Sequence, residues 1–246
     1  NRPNDISSIL RSLSSRAALN LGYKANGPLS MYATMKEYLP KNTKYVLWLY
    51  FEGNDFEDLK SELSTDILKN YYLDKNFKQN LITQQKYIDK KNSEIVLKTV
   101  DFEDNITHFI RKNSDVKNKI LKFIRLNQSK KIIKSLSKKD KIPITEFKNI
   151  IISAKEFALK NNSKFYFIYL PQYERYNKSI RNNNYNIVKS IVKDLDLKFI
   201  DLHEEVFIKE EDPLKLFPFR MWGHYNEDGY QKIGKKIYTK IKNEKY

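Results

Sequence analysis

Lys44-Tyr45-Val46-Leu47-Trp48-Leu49-Tyr50-Phe51 is apolar at every position after the lysine and runs straight into Glu52-Gly53-Asn54-Asp55. A strand with one wet face alternates apolar and polar residues, whereas an unbroken apolar run is what a strand buried on both faces requires. Such strands occur in parallel sheets covered by helices on each side. Two further runs have the same character. Lys164 to Leu170 (KFYFIYL) is stopped by Pro171, and Leu197 to Leu202 (LKFIDL) follows it. Upstream, Ala17 to Gly22 reads as another strand, ending in a glycine turn.

Helical spacing fills the intervals. A helix is expected from about Asp5 to Arg16. Pro28 suits the first turn of a second, with Leu29, Tyr32, Met35 and Leu39 on its apolar face. Thr145 to Leu159 places Phe147, Ile150, Ile151, Ala154 and Ala158 on one side, and Asn183 to Lys193 is a shorter helix. The last helix, Glu227 to Lys242, presents Tyr230, Ile233, Ile237 and Ile241. Asn226 is a candidate N-cap for it, and Glu227 and Asp228 occupy a first turn that favours negative charge. Strands alternating with helices predict an α/β domain built on a parallel sheet. The stretch from about Leu73 to Ile142 is rich in Lys, Asn, Gln and Asp, and a structureless loop of that length is improbable. It reads as a helical insertion or cap within one domain spanning residues 1–246.

At 246 residues, 40% hydrophobic and 13% aromatic, the chain can bury a sizeable core. The net charge of +16 points to polyanions, but the lysines are spread along the whole chain and form no stripe, so no nucleic-acid partner is expected. The absence of cysteine excludes disulfides and thiolate chemistry. Asp201, His203, Glu204 and Glu205 lie on one short segment whose neighbours face opposite ways, so neither a metal nor another cofactor is expected. His108, within the charged insertion, reads as a surface residue.

In open α/β sheets, ligands bind at the carboxyl ends of the strands. Polar or glycine-bearing turns stand at three such ends: residues 20–28, Glu52-Gly53-Asn54-Asp55, and Gln172-Tyr173-Glu174-Arg175-Tyr176. A fourth segment, Gly223-His224-Tyr225-Asn226-Glu227-Asp228-Gly229-Tyr230, precedes the last helix. Each alone has an ordinary explanation as a turn or a surface loop. Their order along the chain is what distinguishes them.

That order resembles the SGNH (GDSL-like) hydrolases, most closely at VLWLYFEGND and GHYNEDGY and more weakly at the glycine turn. The resemblance covers most of the chain outside the insertion. It implies a three-layer, flavodoxin-like sheet and a serine esterase or O-acyltransferase acting on O-acyl esters. An acetylated envelope polysaccharide is one such substrate, and a nearby membrane is compatible with it. It further implies that His224 is the general base and that the side-chain amide of Asn54 donates to the oxyanion. Backbone N–H groups of Ala25, Asn26, Gly27 and Gly53 would complete the hole, with Asp55 fixing the turn. Tyr173, Arg175 and Trp222 are candidates for the substrate pocket, Arg175 as a partner for a carboxylate.

Two departures from the family pattern stand out. No Gly-Asp-Ser block is present, and no serine occupies a strand-to-helix elbow. The resemblance therefore implies that the first strand and its nucleophile lie upstream of Asn1, and that these residues alone are inactive. Where the family places an aspartate three residues before the histidine, this chain has Met221, which leaves Asp201 or Asp212 as orienting acids, or a Ser-His dyad. A domain that kept the fold and lost the chemistry, binding a glycan or assisting envelope assembly, is the alternative.

Overall fold

A computed structural model describes residues 4–96, 142–177, 184–221 and 223–243. Trp222, His108 and Asn183 lie outside the described residues. The chain divides into two compact units, one comprising Asn1–Lys78 with Pro143–Tyr246 and the other Gln79–Ile142. The described part of the second unit is a 3₁₀ turn, Leu81–Gln84, followed by helical residues 85–96.

The first unit is α/β, as the alternation of strands and helices requires. Its three described strands, β1 (Tyr45–Phe51), β2 (Lys164–Leu170) and β3 (Lys198–Asp201), form a parallel sheet in the order β1-β2-β3. Tyr45 stands opposite Lys164 and Phe167 opposite Phe199. Helices cover both faces. They are α1 (Ile6–Ser14), α2 (Pro28–Tyr38), α3 (Asp55–Glu62), α4 (Asp66–Leu73), α5 (Ile144–Lys160), α6 (Asn184–Asp194) and α7 (Glu227–Asn243).

Because strand side chains alternate, β1 feeds two cores. Trp48 and Tyr50 face one of them. There the Tyr50 ring lies 5.6 Å from both Phe56 of α3 and Phe147 of α5, with Phe56 and Phe147 5.0 Å apart. Leu47, Leu49 and Phe51 face the other, which is built from Tyr166, Ile168, Ile200, Leu10 of α1, and Ile233 and Ile237 of α7. Helix α1 is capped by Asp5, whose carboxylate accepts from the Ser8 N–H at 2.9 Å. Its Ile9 packs so closely on α7 that a Cβ at Gly234 would come within 2.6 Å of it. Asp5 acts electrostatically on Tyr230, near the start of α7. The electrostatic interaction of Asp5 with Tyr230 and the packing of Ile9 on Gly234 keep the same offset, as in two helices that run in the same direction.

Among the described residues, no strand pairs with the edge of β1 away from β2. The Lys164 N–H donates to Lys44 O at 2.9 Å and the Glu52 N–H to Leu170 O at 3.0 Å, so even-numbered residues of β1 bond to β2. Tyr45, Leu47 and Leu49 turn their backbone groups the other way, where no described strand lies. Alongside this edge runs a cleft of about 1800 Å³, bounded by α1, α2 and α7. Residues 17–22, expected as a strand, are irregular and line this cleft. An extended segment becomes a strand only when a neighbour satisfies its N–H and C=O groups, and no described strand pairs with this one. The other strands and helices fall within a few residues of their expected limits.

Candidate functional site

Asn54 sits at the carboxyl end of β1, between Gly53 and the first residue of α3. Its backbone carbonyl accepts from the Asp58 N–H at 2.8 Å, and its side-chain Nδ2 donates to Asp58 Oδ2 at 2.7 Å. An amide carries two N–H donors, and only one of them is bonded among the described residues. Burial pushes the Asp58 carboxyl above the ordinary range, with Glu57 adding to the effect. Asp55 fixes the turn: it is buried, and its carboxylate accepts from the Phe51 N–H at 3.0 Å. Burial raises its pKa well above the usual value, opposed by that hydrogen bond. Gly53 is required by steric contact, since a Cβ there would lie 2.5 Å from the Phe51 ring.

His224 stands in the loop before α7, exposed to solvent, with its ring 5.5 Å from the Phe51 ring. The loop is held from beneath. The Tyr225 hydroxyl donates to Pro171 O, and Asn226 caps α7 by accepting from the Gly229 N–H at 2.9 Å. Asn226 Nδ2 also donates to Lys215 O at 2.8 Å. A Cβ at Gly229 would lie 2.7 Å from Leu216 O, which explains glycine there.

The glycine turn reaches the same cleft. Ala25, Asn26, Asn54 and His224 all line it. Ala25 has φ 63°, a left-handed conformation that a Cβ disfavours. The turn is tied to α3 through Glu62, whose buried carboxylate accepts from the Gly27 N–H at 2.7 Å and the Leu29 N–H at 2.9 Å. Burial raises the pKa of Glu62, opposed by these hydrogen bonds and by one from Ser30. A Cβ on Gly27 would come within 2.9 Å of the Leu59 backbone nitrogen. Two of the expected oxyanion donors are thereby occupied, Gly27 by Glu62 and Asn26 by Tyr23 O at 3.2 Å.

Neither candidate orienting acid bonds to His224. Asp201 accepts from the Tyr185 hydroxyl at 2.6 Å and from the Glu204 N–H at 3.3 Å. Asp212 accepts from the Leu214 N–H at 3.2 Å and pairs with Arg220. Among the described residues, none hydrogen-bonds the His224 ring. Arg175 is not a free partner for a substrate carboxylate either, because its guanidinium is paired with buried Glu52. Tyr173 packs on Phe217 at 5.4 Å and donates to Arg220 O at 3.1 Å.

Glu52, Asp58 and Glu62 are the residues that sequence reasoning passed over. The only signal was a carboxylate directly after an apolar strand, and two more on one face of the next helix. Among the described residues no group of three His, Cys, Asp or Glu side chains is arranged to hold a metal ion, and none of the described helices is long and apolar enough to cross a membrane. His203 instead shares a 2.8 Å hydrogen bond with the Tyr176 hydroxyl. Compared with known proteins, the chain matches no family model, no curated protein and no solved structure.

Proposed function

We propose that this chain supplies the oxyanion and general-base residues of an SGNH-type serine esterase or O-acyltransferase. The observation that carries the reading is the shared cleft: Asn54, His224 and the Ala25-Asn26 turn, far apart in sequence, line one cavity that runs along β1 from Tyr45 to Phe51. The nucleophilic serine is proposed to arrive on a strand seated along the edge of β1 away from β2. Two features support that placement. β1 is apolar on both faces yet sits at an edge without the charges, prolines or bulges that normally protect one. Moreover, α1 and α7 run in the same direction, so a strand leading into α1 would run parallel to β1 and end near His224.

The serine Oγ would attack the ester carbonyl carbon while His224 takes its proton. The negative charge forming on the carbonyl oxygen would be met by the second amide N–H of Asn54 and by the backbone N–H of Ala25, those of Asn26 and Gly27 being already bonded. The protonated imidazole would then return the proton to the departing alkoxide, leaving an acyl-serine for water or a sugar hydroxyl to resolve. With no carboxylate bonded to it, His224 would act in a Ser-His dyad, its ring steadied by Phe51.

Hydrolysis of p-nitrophenyl acetate by the full-length polypeptide tests the proposal. His224→Ala is expected to abolish it, and Asn54→Ala to lower turnover by about 10²-fold. Hydrolysis that survives His224→Ala rules the mechanism out. The unpartnered His224 ring also favours a second reading, a non-catalytic glycan-binding domain of the same fold, for which the full-length polypeptide would have no such activity.

A further inference from the structure

We infer that the buried Glu52–Arg175 ion pair is the positioning element of the Gly53–Asn54 turn, an inference that rests on the esterase reading for its catalytic consequence. Glu52 is 3% exposed. Its carboxylate accepts from Arg175 Nε at 2.9 Å, from Arg175 Nη2, and from the Gln172 N–H at 3.1 Å. Its own N–H donates to Leu170 O. Backbone and side chain of Glu52 are thus both tied to the end of β2. Arg175 is fixed in turn, with its guanidinium 4.7 Å from the Tyr185 ring centroid and Nη2 3.3 Å from the Tyr169 hydroxyl.

On the other side of the turn stands Asp55, equally buried and bonded to the Phe51 N–H. Gly53 and Asn54 are exposed. They form a two-residue bridge strung between two buried carboxylates, and the position of the Asn54 amide follows from where those carboxylates are held. Stability alone does not account for the pair. Burying the Glu52 carboxylate and part of the Arg175 guanidinium forfeits hydration, and apolar side chains of similar volume are often as stable in such a place. The bidentate fork supplies direction, since it fixes the loops after β1 and β2 relative to each other. It also neutralises a carboxylate that would otherwise repel an oxyanion forming beside Asn54.

The test replaces both partners in the full-length protein, Glu52→Met with Arg175→Met, so that no charge is left buried and unpaired. We expect a cooperative thermal transition, exchange of the hydrogen-bonded amides of residues 51 and 52 faster by about tenfold or more, and kcat for p-nitrophenyl acetate lower by about 100-fold at nearly unchanged KM. A folded double variant with the parent's exchange at residues 51 and 52 overturns the inference. If the double variant does not melt cooperatively, Arg175→Lys, which keeps the charge and loses the fork, is judged by the same exchange criterion. A parent protein without esterase activity would sink the esterase reading alone, because the exchange measurement still decides what holds the turn.

Discussion

The ring of His224 rests against the ring of Phe51, with centroids 5.5 Å apart and planes inclined at 46°. Phe51 is the last residue of β1, and its ring also fills the space that a side chain at residue 53 would occupy. One aromatic ring therefore links His224 to the turn that carries Asn54.

This linkage makes Gly53→Ala informative. The added Cβ would meet the Phe51 ring at 2.5 Å, so the ring must move, and His224 loses the surface beneath it. Overpacking of this kind costs about 1–3 kcal/mol. The expected result is a lowered but cooperative thermal transition with a larger proportional loss of ester hydrolysis. Unchanged hydrolysis would show that His224 does not depend on Phe51.

Ala25 is held at φ 63° in a turn that lines the cleft. Glycine removes the Cβ penalty there, about 1–2 kcal/mol, but loosens the unfolded chain, so Ala25→Gly should stabilise the fold by roughly 1 kcal/mol or less. Chemical denaturation measures this, and a destabilised variant would contradict the left-handed assignment.

Asp55 predicts a pH dependence with a definite sign. Burial raises its folded pKa above the ordinary value of 3.8, so the folded state binds the proton more tightly than the unfolded state does. The contribution of Asp55 to stability is then greatest at low pH and is lost as pH climbs from about 4 toward the folded value. Asp55→Asn keeps an acceptor for the Phe51 N–H and cannot ionise. Relative to the parent, the variant should gain stability as pH rises, and a difference that stays flat from pH 4 to 8 would contradict the shift.

Asp5 carries the opposite sign. Hydrogen bonds led by the Ser7 hydroxyl lower its pKa from 3.8 to about 2. Its capping of α1 therefore stabilises fully above pH 4 and fades as pH falls toward 2. Asp5→Ala should cost about 1 kcal/mol at neutral pH and much less at pH 2, measured by thermal unfolding.

Much of the framework was legible in the chain. The runs at 45–51 and 164–170 form strands because apolar residues on both faces fit only a covered sheet. Pro28 and Asn226 start helices for local reasons of backbone geometry and capping, visible within a few residues. What escaped was whatever depends on distant partners. Residues 17–22 look like a strand, but no described strand pairs with them. Arg175 looked available to a substrate because nothing near it in sequence reveals Glu52, 123 positions away. Asp201 looked free for His224, yet its partner is Tyr185, presented by a helix on the other side of β3 in the chain.

The central claim is that a serine reaches this cleft and is activated there by His224. Labelling the full-length polypeptide with a fluorophosphonate probe, and locating the adduct by mass spectrometry, tests it most directly. One labelled serine is expected, on a segment leading into α1, with loss of the label in His224→Ala. A polypeptide that takes no label, or one whose labelling is indifferent to His224, would contradict it.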